Sequence, residues 1–162
     1  MNQREFRTDL DFEKKKREFL DFLQSKENAV MVLATCSDNL VLARNVLVAN
    51  SGLELYFFTW GHSRKCRQIQ ANPNIALCKD KVQIQGTAEI LGAMSAENNK
   101  AYLSVINEKY PESVKRWLHR PGMVLVRVKP TTVVMGGDSD EPCLEFIDFT
   151  DRAAYAKKWA HY

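Results

Sequence analysis

The spacing of apolar positions changes several times along the chain, and each change marks an element. Phe12, Phe19, Leu20 and Leu23 fall on one helical stripe behind Thr8-Asp9-Leu10-Asp11, which has the form of a capping box. The spacing predicts a helix from about Asp9 to about Lys26. Ala29 to Thr35 is a continuous apolar run, the pattern of a strand buried on both faces, and Ser37-Asp38-Asn39 is turn chemistry. Leu40 to Val48 is a second strand with Arg44 and Asn45 at its centre. Asn50-Ser51-Gly52 then closes a hairpin onto Leu53 to Phe58, which predicts a three-stranded antiparallel meander.

A helix follows from Lys65 to Ala71, capped by Ser63 and stopped at Asn72-Pro73. Asn74 to Cys78 is a short strand. In Val82 to Leu91, Val82, Ile84 and Gly86 alternate with Gln83, Gln85 and Thr87, so one face of that strand is wet or lines a site. Two helical stretches come next, one starting at Ser95 and one at Pro111 that carries Trp117. Met123 to Val128 is a strand that continues through Thr131 to Met135 after a kink at Pro130, and 136–140 is a loop. Cys143 to Phe149 is a last strand, and Thr150 caps a short C-terminal helix holding Tyr155 and Trp159. About seven short strands with helices in the gaps point to an antiparallel barrel with peripheral helices, mainly β with some α. The expectation is a single domain over residues 1–162, since 45% of the residues are hydrophobic and can fill one core.

Charge narrows the function. Lys and Arg number 23 against 20 Asp and Glu, a net charge of +3 that is too small and too interspersed for a nucleic-acid footprint. No apolar run approaches the ~20 residues of a membrane span, and the N-terminus lacks the form of a signal peptide, so a cytoplasmic protein is expected. Cys36, Cys66, Cys78 and Cys143 form no C-x-x-C pair and read as reduced, buried thiols. His62, His119 and His161 show no ligand spacing, and no metal site is expected. No Ser/His/Asp order, paired carboxylates or Walker loop occurs, and no catalytic residue stands out.

The informative stretch is Thr59-Trp60-Gly61-His62-Ser63-Arg64-Lys65. It places Arg64 and Lys65 at the first two helical positions, beside unpaired N–H groups and the positive end of the macrodipole. Cations are unfavourable there unless an anion binds, when N–H groups, a hydroxyl and two charges would converge on it. Phosphate is the natural candidate; the alternative is a solvated first turn whose long side chains bend away.

Five stretches in order resemble the pyridoxamine 5'-phosphate oxidase-like family of FMN-binding split barrels, and most of all its small general-stress-protein branch. These are Ala43-Arg44-Asn45-Val46-Leu47-Val48, Tyr56-Phe57-Phe58-Thr59, Ser63-Arg64-Lys65, Asn72-Pro73-Asn74-Ile75-Ala76-Leu77, and Val82-Gln83-Ile84-Gln85-Gly86-Thr87-Ala88-Glu89. The resemblance implies a six-stranded antiparallel split barrel and a homodimer with FMN at the subunit interface. It assigns Arg44, Ser63, Arg64 and Lys65 to the phosphate. Asn45, Val46, Leu47 and Val48 match the strand along the flavin ring, and Thr59 borders the ribityl chain. Trp60 and Trp117 are candidates to stack near the ring or close the pocket, the alternative being core or interface packing.

Three departures limit the match. The family lysine for the substrate phosphate is replaced by Ala49, and no Arg-x-His substrate motif is present. The family glutamine at the start of the long strand aligns with Lys81, so its role passes to Gln83 or is lost. The resemblance therefore implies an FMN-dependent oxidoreductase with an unnamed small-molecule substrate rather than a vitamin oxidase. The alternatives are a flavin-binding stress protein without turnover and a haem-binding barrel.

Overall fold

The computed structural model describes residues 5–136 and 143–159. The described residues form ten strands and four α-helices. In chain order these are β1 (Glu5–Leu10), α1 (Phe12–Gln24), β2 (Val30–Ser37), β3 (Leu40–Leu47), β4 (Ala49–Ser51), β5 (Glu54–Trp60) and α2 (Arg64–Ala71). They continue with β6 (Asn74–Lys79), β7 (Val82–Ala93), α3 (Lys100–Lys109), α4 (Pro111–Trp117), β8 (Met123–Gly136), β9 (Cys143–Asp148) and β10 (Ala153–Trp159). All strand pairs are antiparallel, and the order along the sheet is β1-β10-β9-β8-β7-β6-β2-β3. The sheet does not close, and β3 ends it. The antiparallel, mainly β architecture read from the sequence is the one observed.

The long strand β8 is the spine, and its middle explains the split. One edge of β8 pairs with β7, while β5 takes Met123–Val128 and β9 takes Thr132–Gly136. Pro130 lies between these two partners, where the absence of an N–H leaves no ladder bond unmade. Opposite it, Gly86 sits at a register shift, and a Cβ there would lie 2.4 Å from the Lys129 carbonyl oxygen. Only a residue without a side chain lets the two backbones approach so closely.

Two apolar clusters flank β5. Leu55 and Phe57 face the larger core with Phe19, Leu33, Leu77, Ile84 and Val128, while Tyr56, Phe58 and Trp60 face a second cluster with α3 and α4. Polar contacts tie α3 to the rest: Lys109 Nζ donates to the Leu23 carbonyl (3.1 Å) and Asn50 Oδ1 (2.5 Å), and the Tyr110 hydroxyl donates to the Val48 carbonyl (2.9 Å).

Five expectations are corrected. The run read as a strand buried on both faces is buried on one only, since Met31, Leu33 and Thr35 of β2 point inward while Val30 and Val32 are exposed. The C-terminal segment is the strand β10 and not a helix. Asp148 Oδ1 accepts from the Thr150 and Asp151 N–H groups, Arg152 takes φ +52°, and this tight turn sends the chain back along β9 with Ala154 and Ala156 inward. The residues before Phe12 pair with β10 as β1, so the first helix begins later, with Asp11 accepting the Lys14 N–H at 2.7 Å. The meander is interrupted, because β3 pairs with β2 but not with β5, whose partners are the short β4 and β8. Of the cysteines, Cys66 is buried, whereas Cys36, Cys78 and Cys143 are half-buried. The expected loop at 136–140 lies mostly outside the described residues. Among the described residues, no helix is long and apolar enough to cross a membrane.

Candidate functional site

Strand parity places the candidate residues. Alternation along β5 sends Thr59 to the same face as Leu55 and Phe57, where it is 8% exposed, and sends Trp60 to the opposite face. The chain then turns through Gly61 and His62 into α2. Ser63 caps that helix by position, with the extended backbone of an N-cap (φ −67°, ψ 157°), yet its hydroxyl caps no helical N–H. Ser63 Oγ is buried and has no hydrogen-bond partner among the described residues. Such a group costs free energy unless something outside the chain satisfies it.

Lys65 bends back over the turn, and its ammonium donates to Thr59 Oγ1 at 2.9 Å. Arg44 comes from β3, opposite Leu33 of β2; its Nη1 donates to Thr35 Oγ1 at 2.6 Å and to the Leu33 carbonyl at 3.3 Å. Burial pushes the Lys65 ammonium below the usual lysine range, Cys66 opposes the shift, and the charge of Arg44 adds to it. Burial likewise lowers Arg44. Two cations are thus close enough to repel each other. Elsewhere Lys15 pairs with Glu18 and Glu145, and Arg127 with Glu89; among the described residues no carboxylate lies within salt-bridge distance of Arg44 or Lys65. Arg64, by contrast, is exposed at the first helical position.

This donor set fits a phosphate dianion. It offers the remaining N–H groups of a guanidinium, an ammonium, a hydroxyl and the first N–H groups of a helix, with two positive charges that no carboxylate among the described residues compensates.

The other residues read from the sequence separate into groups. Val46 and Val48 share the buried side with Arg44, while Asn45 is exposed on the other face of β3. Asn45 pairs with Val32, Val32 with Cys78, and Cys78 with Gln83, so Asn45 and Gln83 lie in one row across the outer face. Three strand spacings separate them, roughly 14 Å. Leu47 has the parity of Asn45. Lys81, at the β6–β7 turn, has the parity of Gln83, and its carbonyl accepts the Gly136 N–H. Trp117 packs edge-on against Trp60, with ring centroids 6.0 Å apart, on the side of β5 away from Thr59. Within one chain the structure brings together Arg44, Thr59, Ser63 and Lys65; it does not bring Arg64, Gln83, Lys81 or Trp117 to them.

Sequence reasoning missed Thr35 and Gln68. Thr35 (2% exposed) donates its hydroxyl to Gln68 Oε1 at 2.6 Å, and the Gln68 amide (3% exposed) donates to the Leu40 carbonyl at 2.8 Å. A threonine in an apolar run and a glutamine in a short helix carry no pattern of their own. The one available signal was that Gln68 falls among the inward positions of α2, beside Ile69 and two residues past Cys66.

The sequence profile of the pyridoxamine 5'-phosphate oxidase family matches residues 12–135, a stretch that contains every residue of this cluster. The chain belongs to that family. No curated protein matches it. Among solved structures it is similar to general stress protein 26 of Bacillus anthracis (22% identity, 74% of this chain and 91% of that one, TM-score 0.57). It is similar also to a FAD-binding protein of Mesorhizobium loti (15% identity, 96% and 99%, TM-score 0.57). A third is the haem storage protein HutZ of Vibrio cholerae (13% identity, 70% and 88%, TM-score 0.58). At these identities the likeness establishes the shared fold.

Proposed function

We propose that this member of the pyridoxamine 5'-phosphate oxidase family is an FMN-binding flavoprotein that passes electrons from NAD(P)H or another donor to a small acceptor. The observation that carries this reading is that Arg44 and Lys65 feel each other's charge with no carboxylate at either among the described residues, beside a helix start whose buried Ser63 hydroxyl has no partner there. The bound flavin supplies the redox chemistry, and the protein supplies binding, orientation and electrostatics. Arg44, Ser63 and Lys65 hold the phosphate, Thr59 keeps the ammonium in place, and Arg64 adds long-range positive charge from the surface. Because β3 ends the sheet, its outer backbone edge is available to the polar rim of a flavin ring along residues 45–48.

A second copy of the chain completes the site in this reading. Val30 (48% exposed), Val32 (40%) and Val41 (63%) form an apolar surface on β2 and β3, beside Leu40 (51%). Such a surface suits a two-fold interface. Lys81, Gln83 and Trp117, which one chain keeps apart from its own phosphate cluster, then serve from the partner. The substrate is not pyridoxamine phosphate, because Ala49 and the missing Arg-x-His motif leave a substrate phosphate without cations.

The visible spectrum of the purified protein, followed by NAD(P)H consumption, tests the reading. Flavin bands with turnover support it, while flavin bands without turnover reduce it to a carrier. A Soret band in place of flavin bands overturns it.

A further inference from the structure

We infer that Thr35 and Gln68 are positioning residues for the phosphate site, forming a directional hydrogen-bond chain that holds Arg44 with its free N–H groups toward the anion. The inference rests on the phosphate reading above and deepens it.

The direction of the chain follows from donor and acceptor chemistry. The Gln68 amide N–H₂ donates to the Leu40 carbonyl, so the amide oxygen must face Thr35. That oxygen can only accept, and the Thr35 hydroxyl therefore spends its single proton on it. What remains on Thr35 Oγ1 is lone-pair density, and the group facing it at 2.6 Å is Arg44 Nη1, which can only donate. Every link has one allowed orientation. Nη1 thus donates to both the Thr35 hydroxyl and, at 3.3 Å, the Leu33 carbonyl. The guanidinium has five N–H groups, and the three on Nη2 and Nε have no protein partner among the described residues. That is the edge a phosphate can meet with two parallel bonds.

The chemistry of the anchor also matters. Residues that restrain a buried arginine are commonly carboxylates, and a carboxylate here would neutralise the charge that the phosphate needs. Thr35 and Gln68 fix the geometry with neutral groups and leave the charge of Arg44 uncompensated. Because the two side chains come from β2 and α2, they also lock the phosphate-binding helix to the sheet that carries Arg44.

The test compares FMN with riboflavin, which lacks the phosphate. Thr35→Val keeps the shape of the side chain and removes the hydroxyl; Gln68→Met breaks the chain one link further back. Each variant should raise the Kd for FMN by about tenfold, the scale of one hydrogen bond to a charged group, with riboflavin affinity unchanged. Thr35→Ser should restore wild-type binding. In the Arg44→Met background, Thr35→Val should have no further effect on FMN, because a residue that acts through Arg44 has nothing left to position. An equal loss for FMN and riboflavin, or an undiminished loss in the Arg44→Met background, would overturn the inference. Retention of full FMN preference in Thr35→Val would overturn it while leaving the phosphate site standing. A wild-type protein that binds both ligands equally would remove the phosphate site and the positioning role together.

Discussion

Replacing Arg44 by Met should separate binding from stability. Burial lowers the pKa of Arg44, and among the described residues no carboxylate offsets its charge, so the empty site carries an electrostatic cost. Methionine keeps much of the volume and removes that cost. In exchange Thr35 Oγ1 and the Leu33 carbonyl lose a donor, about 0.5–1.5 kcal/mol for an ordinary hydrogen bond. These contributions oppose each other, and the ligand-free variant should unfold within about 1 kcal/mol of the wild type. FMN binding should instead weaken by about 1.5–3 kcal/mol, the value of hydrogen bonds to a charged group, or roughly 10- to 150-fold in Kd. Urea denaturation with and without ligand reads both quantities. At 100 times the wild-type Kd, FMN should stabilise the wild type by about 2.7 kcal/mol; if Kd rises ~100-fold, the same concentration gives the variant only about 0.4 kcal/mol. A variant that FMN stabilises as much as the wild type would refute the assignment of Arg44. A ligand-free loss above about 3 kcal/mol would show that Arg44 is chiefly a structural residue.

The remaining predictions concern the other parts of the site and the fold. Because burial and Arg44 lower the Lys65 pKa in the ligand-free protein and a bound anion raises it again, FMN affinity should fall, with proton uptake, as pH rises through the lowered pKa toward the ordinary lysine value; the separate loss at low pH, where the FMN phosphate (second pKa about 6) becomes a monoanion, is common to wild type and variant. Lys65→Arg should flatten that fall in a fluorescence titration, and an identical pH profile would contradict the assignment. Val41→Glu, placed on the most exposed of the large apolar side chains, should turn a dimer into a monomer by light scattering, and a wild-type monomer at micromolar concentration would remove the interface proposal. Gly86→Ala should destabilise by roughly 1–3 kcal/mol, because its Cβ would meet backbone at 2.4 Å; an unchanged thermal midpoint would contradict the close approach.

The residues of the proposed phosphate site stood out in the sequence because they break local rules: cations at a helix N-terminus and an arginine amid an apolar strand are both unfavourable without a partner. Pro130 announced the kink in β8 for a similar reason. The anchors Thr35 and Gln68 break no local rule, and they become visible only when β2, β3 and α2 are assembled. The C-terminal strand was misread because Thr150 has the form of a cap and Tyr155 and Trp159 have helical spacing. The competing period-2 signal, Ala154 and Ala156 against Tyr155 and Lys157, was only four residues long. At the other end, Thr8 to Asp11 resembled a capping box although the cap is Asp11 alone, which hid β1. Pairing between the first and last strands is set by contacts across the whole chain length, which no local window contains.

The most direct measurement is a pair of calorimetric titrations of the ligand-free protein, one with FMN and one with riboflavin, under the same buffer without competing phosphate. If Arg44, Ser63 and Lys65 form a phosphate site, FMN binds at least about tenfold more tightly, the equivalent of ~1.4 kcal/mol. Equal affinities for the two flavins, or no binding of either, would contradict the account.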